Sequence, residues 1–193
     1  TSEYIKDMGT PKRFYSIETD LKKNKVNKLN YKNKQKALFV DRDNTLIKCD
    51  VGTYILDVNN ISFLEENILK IALVAKQYDL VCLVTNQPTI SMGKLTLQKL
   101  DEINSVVIKF CLLKNLKIDI VTFCPHHPHK GFEGEISALK MDCFCRKPNP
   151  GMFLEQAFLR NIELTESLLI GDSKQDQIAA KNSGCNFINI DDL

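Results

Sequence analysis

Apolar residues along this chain follow two periods. Five short runs have the length of strands: "ALFV" (37–40), "LVCLV" (80–84), "IDIVTF" (118–123), "LLI" (168–170) and "FINI" (187–190). Most are rich in β-branched residues, which favour extended backbone. Between them the apolar positions recur at helical spacing. Ile68, Ile71, Ala72 and Ala75 share one face around 65–78, and Leu100, Ile103, Val107 and Phe110 share one around 97–114. Pro150 predicts a helix start, and Gly184 after "AAKNS" predicts a helix stop. Strand and helix therefore alternate from about residue 37 to 193, which predicts a parallel sheet with helices on both faces. Sheets of this kind bind ligands beyond the carboxyl ends of their strands, so the residues that follow each apolar run are the ones to inspect.

Upstream, "LKKNKVNKLNYKNKQK" (21–36) has too little apolar content to form a core and is expected to be a linker. It also explains the charge. Residues 1–36 carry ten Lys/Arg against four Asp/Glu, leaving sixteen against twenty in the remainder, so the net +2 comes from the tail. A solvated linker accounts for that excess without a nucleic-acid partner. No run of 18 or more apolar residues and no secretory signal pattern is present, so a soluble cytoplasmic protein with no membrane partner is expected. Of the seven cysteines, Cys82 and Cys111 lie in apolar runs as small core residues, whereas Cys124, Cys143 and Cys145 cluster as metal ligands do. Cys49 and Cys185 are isolated.

The strand ends carry the chemistry. The first run leads into "DRDNT", with Asp41 and Asp43 one residue apart; such a pair can bind a cation or divide nucleophile and acid/base roles. The second leads into "TNQ", offering the Thr85 hydroxyl and the Asn86 amide. Later, "RKP" supplies Lys147 as a point charge for a phosphate, and "GDSKQD" adds Asp172 and Asp176. Each of these is also ordinary turn chemistry. Their succession after consecutive strands is what points to a site.

Cys124 and His126 form one close-spaced pair of metal ligands, and Cys143 with Cys145 forms another. Four protein ligands close a zinc site, the pattern of a structural rather than a catalytic ion. His126, His127 and His129 all compete for the fourth place on spacing alone.

Taken in order, "DRDNT", "TNQ", Lys147 of "RKP" and "GDSKQD" resemble the four motifs of the haloacid dehalogenase superfamily of phosphohydrolases. The resemblance implies a Rossmann-like three-layer α/β/α fold without a large cap domain. It implies that Asp41 attacks phosphorus to form an aspartyl-phosphate and that Asp43 protonates the leaving oxygen and then activates water. Mg²⁺ would be held by Asp41, the Asp43 carbonyl and Asp172, and Thr85 and Lys147 would face the phosphoryl oxygens. Asp176 is left without a role.

Within the superfamily, "CPHHP" and "CFCRKPNPGM" are similar to the zinc loop of the D-glycero-D-manno-heptose-1,7-bisphosphate phosphatases, which implies His126 as the ligand in a loop spanning 124–145. That family removes the 7-phosphate and leaves the anomeric phosphate. The resemblance implies a small phosphorylated sugar contacted by Arg42, Asn86, Gln87 and Arg146. Histidinol-phosphate phosphatases share the same motifs, and an inactive zinc-stabilised module regulating a neighbour is a further alternative. A DNA 3′-phosphatase shares the first motif without the Cys/His set.

Departures are visible. Asn44 stands where the family has Gly, a position that calls for positive φ. "TNQPTISMG" replaces the usual "TNQSGIARG", so Pro88 removes a backbone donor and Met92 is expected to remove a cation near the sugar. Finally, "EYIKDMGTPKRF" resembles the closing segment of sugar-1-phosphate nucleotidylyltransferases, so residues 1–20 are expected to be the end of such a domain fused upstream.

Overall fold

The computed structural model describes residues 3–50 and 52–193; the first two residues of the expected 1–20 segment lie outside them. Its strands are β1 (Ala37–Val40), β2 (Leu80–Asn86), β3 (Ile120–Cys124), β4 (Leu168–Gly171) and β5 (Asn186–Asn189). Its helices are α1 (Pro11–Lys22), α2 (Lys25–Lys28), α3 (Glu65–Ala75), α4 (Leu97–Leu113), α5 (Gly151–Arg160) and α6 (Lys174–Ser183). The strands form one sheet in the order β3-β2-β1-β4-β5, and every pairing is parallel.

Alternation along β1 divides the core in two. Leu38 and Val40 face α3 and α4, packing with Ile68, Ile71, Leu100, Ile103 and Val107. Ala37 and Phe39 face the opposite layer, where Met152 and Phe153 of α5 and Ala179 and Ala180 of α6 close the sheet. Phe39 and Phe153 meet edge-on with ring centroids 4.9 Å apart. A strand buried on both faces reads as an unbroken apolar run, which is why "ALFV" lacks polar alternation. The result is the three-layer α/β/α arrangement expected.

Helix ends follow local chemistry. Thr96 caps α4 by accepting from the Lys99 amide, and Gly184 ends α6 at φ 84°. Residues 21–36, expected as a linker, contain the end of α1 at Lys22 and the short α2. Thr10 as N-cap and Pro11 in the first turn start α1 regardless of the polar residues downstream. Beyond α2 the chain is fastened to the core: Asn161 donates from Nδ2 to the carbonyls of Asn30 and Asn33 at 2.6 and 3.0 Å. No helix among the described residues is long and apolar enough to cross a membrane.

Candidate active site

At the end of β1 the Asp41 amide donates to the Ile170 carbonyl at 2.9 Å, carrying strand pairing one residue past the strand. Its carboxyl group is thereby held, buried, at the carboxyl edge of the sheet. The chain then turns sharply at Asn44, whose φ is 57°. Asn tolerates this left-handed conformation, and its Oδ1 accepts from the Cys49 amide at 2.8 Å. The turn leaves Asp43 at the rim, part-exposed.

Lys147 reaches the same point from a loop 106 residues away in sequence. Its ammonium donates to Asp41 Oδ1 at 2.6 Å, to Asp176 Oδ1 at 2.6 Å and to the Val84 carbonyl at 3.0 Å, which uses all three of its protons. Asn86, the last residue of β2, holds the lysine main chain from both sides: its Nδ2 donates to the Lys147 carbonyl at 2.9 Å and its Oδ1 accepts from the Lys147 amide at 3.0 Å. Asp176 is in turn fixed by the cap of α6, accepting from Ser173 Oγ at 2.5 Å and from the Ser173 amide at 3.2 Å. Only glycine fits at Gly171, since a Cβ there would lie 2.7 Å from the Asp176 carboxyl group.

Burial sets the electrostatics. Desolvation, helped by the neighbouring Asp176 and Asp43, pushes Asp41 up to about 7 against the pull of Lys147. Asp172 is raised too, by burial first and Asp176 second. Burial alone would depress Lys147, but Asp41 and Asp176 more than offset it and hold the ammonium above its usual value. Asp41, Asp172 and Asp176 offer oxygens that lie within 4.8 Å of one another. Three carboxylates against one ammonium leave two negative charges, a deficit that one divalent cation satisfies with hard oxygen ligands. Both Asp176 oxygens already accept hydrogen bonds, so Asp41 and Asp172 are the two placed to hold such an ion.

Asp43 is gripped from two sides. Arg42 donates from Nε to Oδ1 at 3.0 Å and from Nη2 to Oδ2 at 3.1 Å, and Gln87 Nε2 donates to Oδ2 at 3.1 Å. Gln87 Nε2 also donates to Thr85 Oγ1 at 2.9 Å, leaving the Thr85 hydroxyl proton to point elsewhere. Two clefts adjoin here. One, of about 190 Å³, is lined by Asp41, Thr85, Lys147, Asp172 and Asp176. The other, of about 230 Å³, is lined by Tyr54, Pro88, His127 and Arg146. Asp43, Asn86 and Gln175 line both, so Asp43 stands on the boundary between them.

Beside this, Cys124 at the end of β3 pairs in register with Asn86. The Cys124, Cys143 and Cys145 sulfurs lie 3.3–3.4 Å apart, and His126 Nδ1 lies 3.6 Å from Cys124 Sγ and 3.3 Å from Cys145 Sγ. Ligands about 2.3 Å from a tetrahedral zinc would be spaced by about 3.7 Å, so the four atoms are close to the arrangement that ion requires. Burial pushes the Cys124 thiol up, which disfavours an empty thiolate cluster and suits a compensating dication. The other histidines lie apart from this group: the His129 amide donates to His127 Nδ1 at 3.2 Å.

The structure thus brings together Asp41, Asp43, Thr85, Asn86, Gln87, Lys147 and Asp172, and separately the four residues Cys124, His126, Cys143 and Cys145 that could hold a metal ion. Arg42 lines the second cleft, but its side chain is only 1% exposed and spent on Asp43 and Asn104, so its guanidinium does not face a ligand. Arg146 lines the same cleft while donating to the His126 carbonyl at 3.1 Å. Met92 is buried and is not among the residues that line either cleft. Asp176 and His127 line the clefts, although the sequence left Asp176 without a role and offered His127 only as a competing metal ligand. The Ser-x-x-Asp capping pattern at 173–176 was the available signal for Asp176.

Comparison with known proteins agrees with this geometry. The family model described as polynucleotide kinase 3 phosphatase matches residues 36–191. A D-glycero-beta-D-manno-heptose-1,7-bisphosphate 7-phosphatase from Vibrio cholerae is 33% identical over 148 residues, covering 77% of this chain and 76% of that protein. The Escherichia coli K12 protein of the same name is 31% identical over 144 residues, covering 75% and 72%. Among solved structures, a HAD-like phosphatase from Mesorhizobium loti superposes with a TM-score of 0.70 at 29% identity, over 79% of this chain and 70% of its own. The D,D-heptose 1,7-bisphosphate phosphatase of B. bronchiseptica, complexed with magnesium and phosphate, gives 0.66 at 26% identity, over 79% and 78%.

Proposed function

The chain belongs to the polynucleotide kinase 3 phosphatase family and, within the haloacid dehalogenase fold, to the heptose-1,7-bisphosphate 7-phosphatases; from that footing we propose that it removes the 7-phosphate of D-glycero-D-manno-heptose 1,7-bisphosphate. That it is a phosphoric monoester hydrolase follows from its relatives. The observation that carries the finer reading is Asp43 on the boundary of two clefts, one lined by Asp41 and Lys147 and the other of a size for a sugar.

In this reading the substrate phosphoryl group enters the smaller cleft and its sugar occupies the larger. Asp41 Oδ2, which accepts no hydrogen bond from the described residues, attacks phosphorus in line with the ester oxygen. A P–O bond forms to Asp41 as the ester P–O bond breaks, and Asp43 gives its proton to the departing sugar oxygen. Asp43 then takes a proton from water, which attacks the aspartyl-phosphate and frees Asp41 and inorganic phosphate. Lys147 and the Thr85 hydroxyl offset charge on the phosphoryl oxygens, while Asn86 keeps the lysine in place. Magnesium, held by Asp41, Asp172 and the Asp43 carbonyl, would neutralise the phosphate and let the two anions approach. Arg146 supplies a fork for the second phosphate or the sugar hydroxyls, with Gln87 and the Arg42 main chain completing the sugar side.

The test is phosphate release, with Mg²⁺ present, from both anomers of heptose 1,7-bisphosphate, from histidinol phosphate, and from a 3′-phosphorylated oligonucleotide. Release from the heptose with a kcat/KM well above the other two is expected. No release from any sugar bisphosphate would sink the proposal, and preference for the oligonucleotide would move the protein toward the activity its family model names.

Zinc in the Cys124, His126, Cys143 and Cys145 group is proposed to be structural. It would pin residues 124–145, and with them the Arg146-Lys147 pair just beyond the last ligand. Replacing Cys143 with Ser, or stripping zinc with a strong chelator and restoring only Mg²⁺, should lower the melting temperature and activity together. Unchanged melting after metal analysis confirms zinc loss would refute the structural role.

A further inference from the structure

Asn104 belongs to none of the motifs that pointed to the site. It lies on α4 one turn beyond Leu100 and beside Ile103, on the face that packs against the sheet, and is only 4% exposed. An apolar residue would continue that stripe, and a buried amide without a partner is costly. Its partner is Arg42: the Asn104 Oδ1 accepts from Arg42 Nη1 at 3.0 Å. No other hydrogen bond to the Asn104 side chain is present among the described residues.

Arg42 is itself buried and presents its other edge to Asp43, through Nε and Nη2. A guanidinium is a rigid planar fork, so fixing one edge fixes the plane that the opposite edge offers to a carboxylate. Gln87 holds Asp43 from the other side, tied in turn to Thr85. One arm of this grip is anchored in β2 and its following turn; the other, among the described residues, is hydrogen-bonded beyond Asp43 only to Asn104 in α4. Without Asn104 the Arg42 plane loses the hydrogen bond on its far edge, and a tilt of that plane would carry the Asp43 carboxyl group with it.

We infer that Asn104 is a positioning residue: by anchoring Arg42 it sets the direction of the Asp43 carboxyl group across the boundary between the phosphate and sugar clefts. The inference rests on the role proposed for Asp43 and deepens it. Its consequence depends on the leaving group. A sugar alkoxide cannot depart without a proton, so its ester needs Asp43 well aimed; a nitrophenolate departs as a stable anion and needs little help. Loss of aim therefore separates two esters that share one nucleophile.

The experiment compares kcat and KM for heptose 1,7-bisphosphate and p-nitrophenyl phosphate in the parent, Asn104→Leu and Asn104→Asp, each with Mg²⁺. General acid catalysis contributes about 10²–10⁴-fold, so a misdirected acid in N104L should lower kcat on the sugar ester by about tenfold or more, with the aryl ester within about threefold. N104D keeps an acceptor oxygen in the same place and should restore the parent ratio. Equal losses on both esters, or no loss on the sugar ester, in a folded variant would overturn the inference. Asn104→Ser, shorter and easily buried, serves as a second variant read the same way if N104L does not fold. A parent that hydrolyses p-nitrophenyl phosphate but no sugar ester would remove the function proposal itself, whereas an active parent with an unchanged ester ratio in N104L removes only the role of Asn104.

Discussion

Asp41→Asn is expected to leave no measurable turnover, a loss of at least about 10⁴-fold in kcat, because removing the nucleophile of a covalent mechanism costs nearly all of the catalysis. The substitution keeps the shape of the side chain and deletes the oxygen that would bond to phosphorus. It should act in the opposite sense on stability. Desolvation holds Asp41 near 7, above its ordinary value. A carboxyl group raised on folding contributes stability that is present below its unfolded pKa and is lost as pH rises through the folded one. Between about pH 4 and 7, then, the metal-free parent should lose the stability that Asp41 contributes at acid pH, and the neutral amide should not. Thermal melting at pH 8 without metal should place D41N at or above the parent, with a smaller stabilising shift on adding Mg²⁺. A D41N protein that still turns over, or that is far less stable than the parent, would refute this picture of the site.

Lys147→Met should be damaging on both counts. The ammonium is the cation facing Asp41 and Asp176, and its three protons are all engaged. Removing one partner from a buried ion pair costs about 3–5 kcal/mol, since the carboxylates are left uncompensated. For a chain of this length that corresponds to a fall in melting temperature of roughly 10 °C, at about 2–4 °C per kcal/mol. Loss of charge stabilisation on the phosphoryl group should also lower kcat by about 10²–10³-fold, as removal of one donor to a developing anion does. Adding D41N to K147M should recover part of the lost stability and none of the activity, because the two groups are in contact and their effects do not add. Additive destabilisation in the double variant would show that the two side chains do not sense each other.

The fold was largely legible because its signals are local or periodic. Runs such as "ALFV" and "LVCLV" became β1 and β2, and the stripes through Ile68 and Leu100 became the buried faces of α3 and α4. Polarity alone did not show that helical turns enter the polar stretch 21–36, where α1 ends at Lys22 and α2 covers Lys25–Lys28. Asn44 at positive φ was foreseeable from residue type alone. Met92 was not, because whether a loop side chain turns inward depends on what surrounds it in three dimensions. Nor was Asn104, since an amide on a helix reads as solvent-facing until its partner is known, and that partner lies 62 positions away. The two bonds tying Asn86 to Lys147 are likewise invisible in sequence, for they join the end of a strand to a distant loop.

That distance has a kinetic side. Asp41 meets Lys147 across 106 residues and Lys147 meets Asp176 across 29, while Asn86 meets the lysine loop across 61. Contacts of such sequence separation carry the greatest loop-closure entropy and form slowly. A folding intermediate with β1 and β2 paired but α6 undocked could hold native secondary structure and have no competent site. Recovery of phosphatase activity after dilution from denaturant would then mark completion of the whole chain's folding, trailing the return of helical signal.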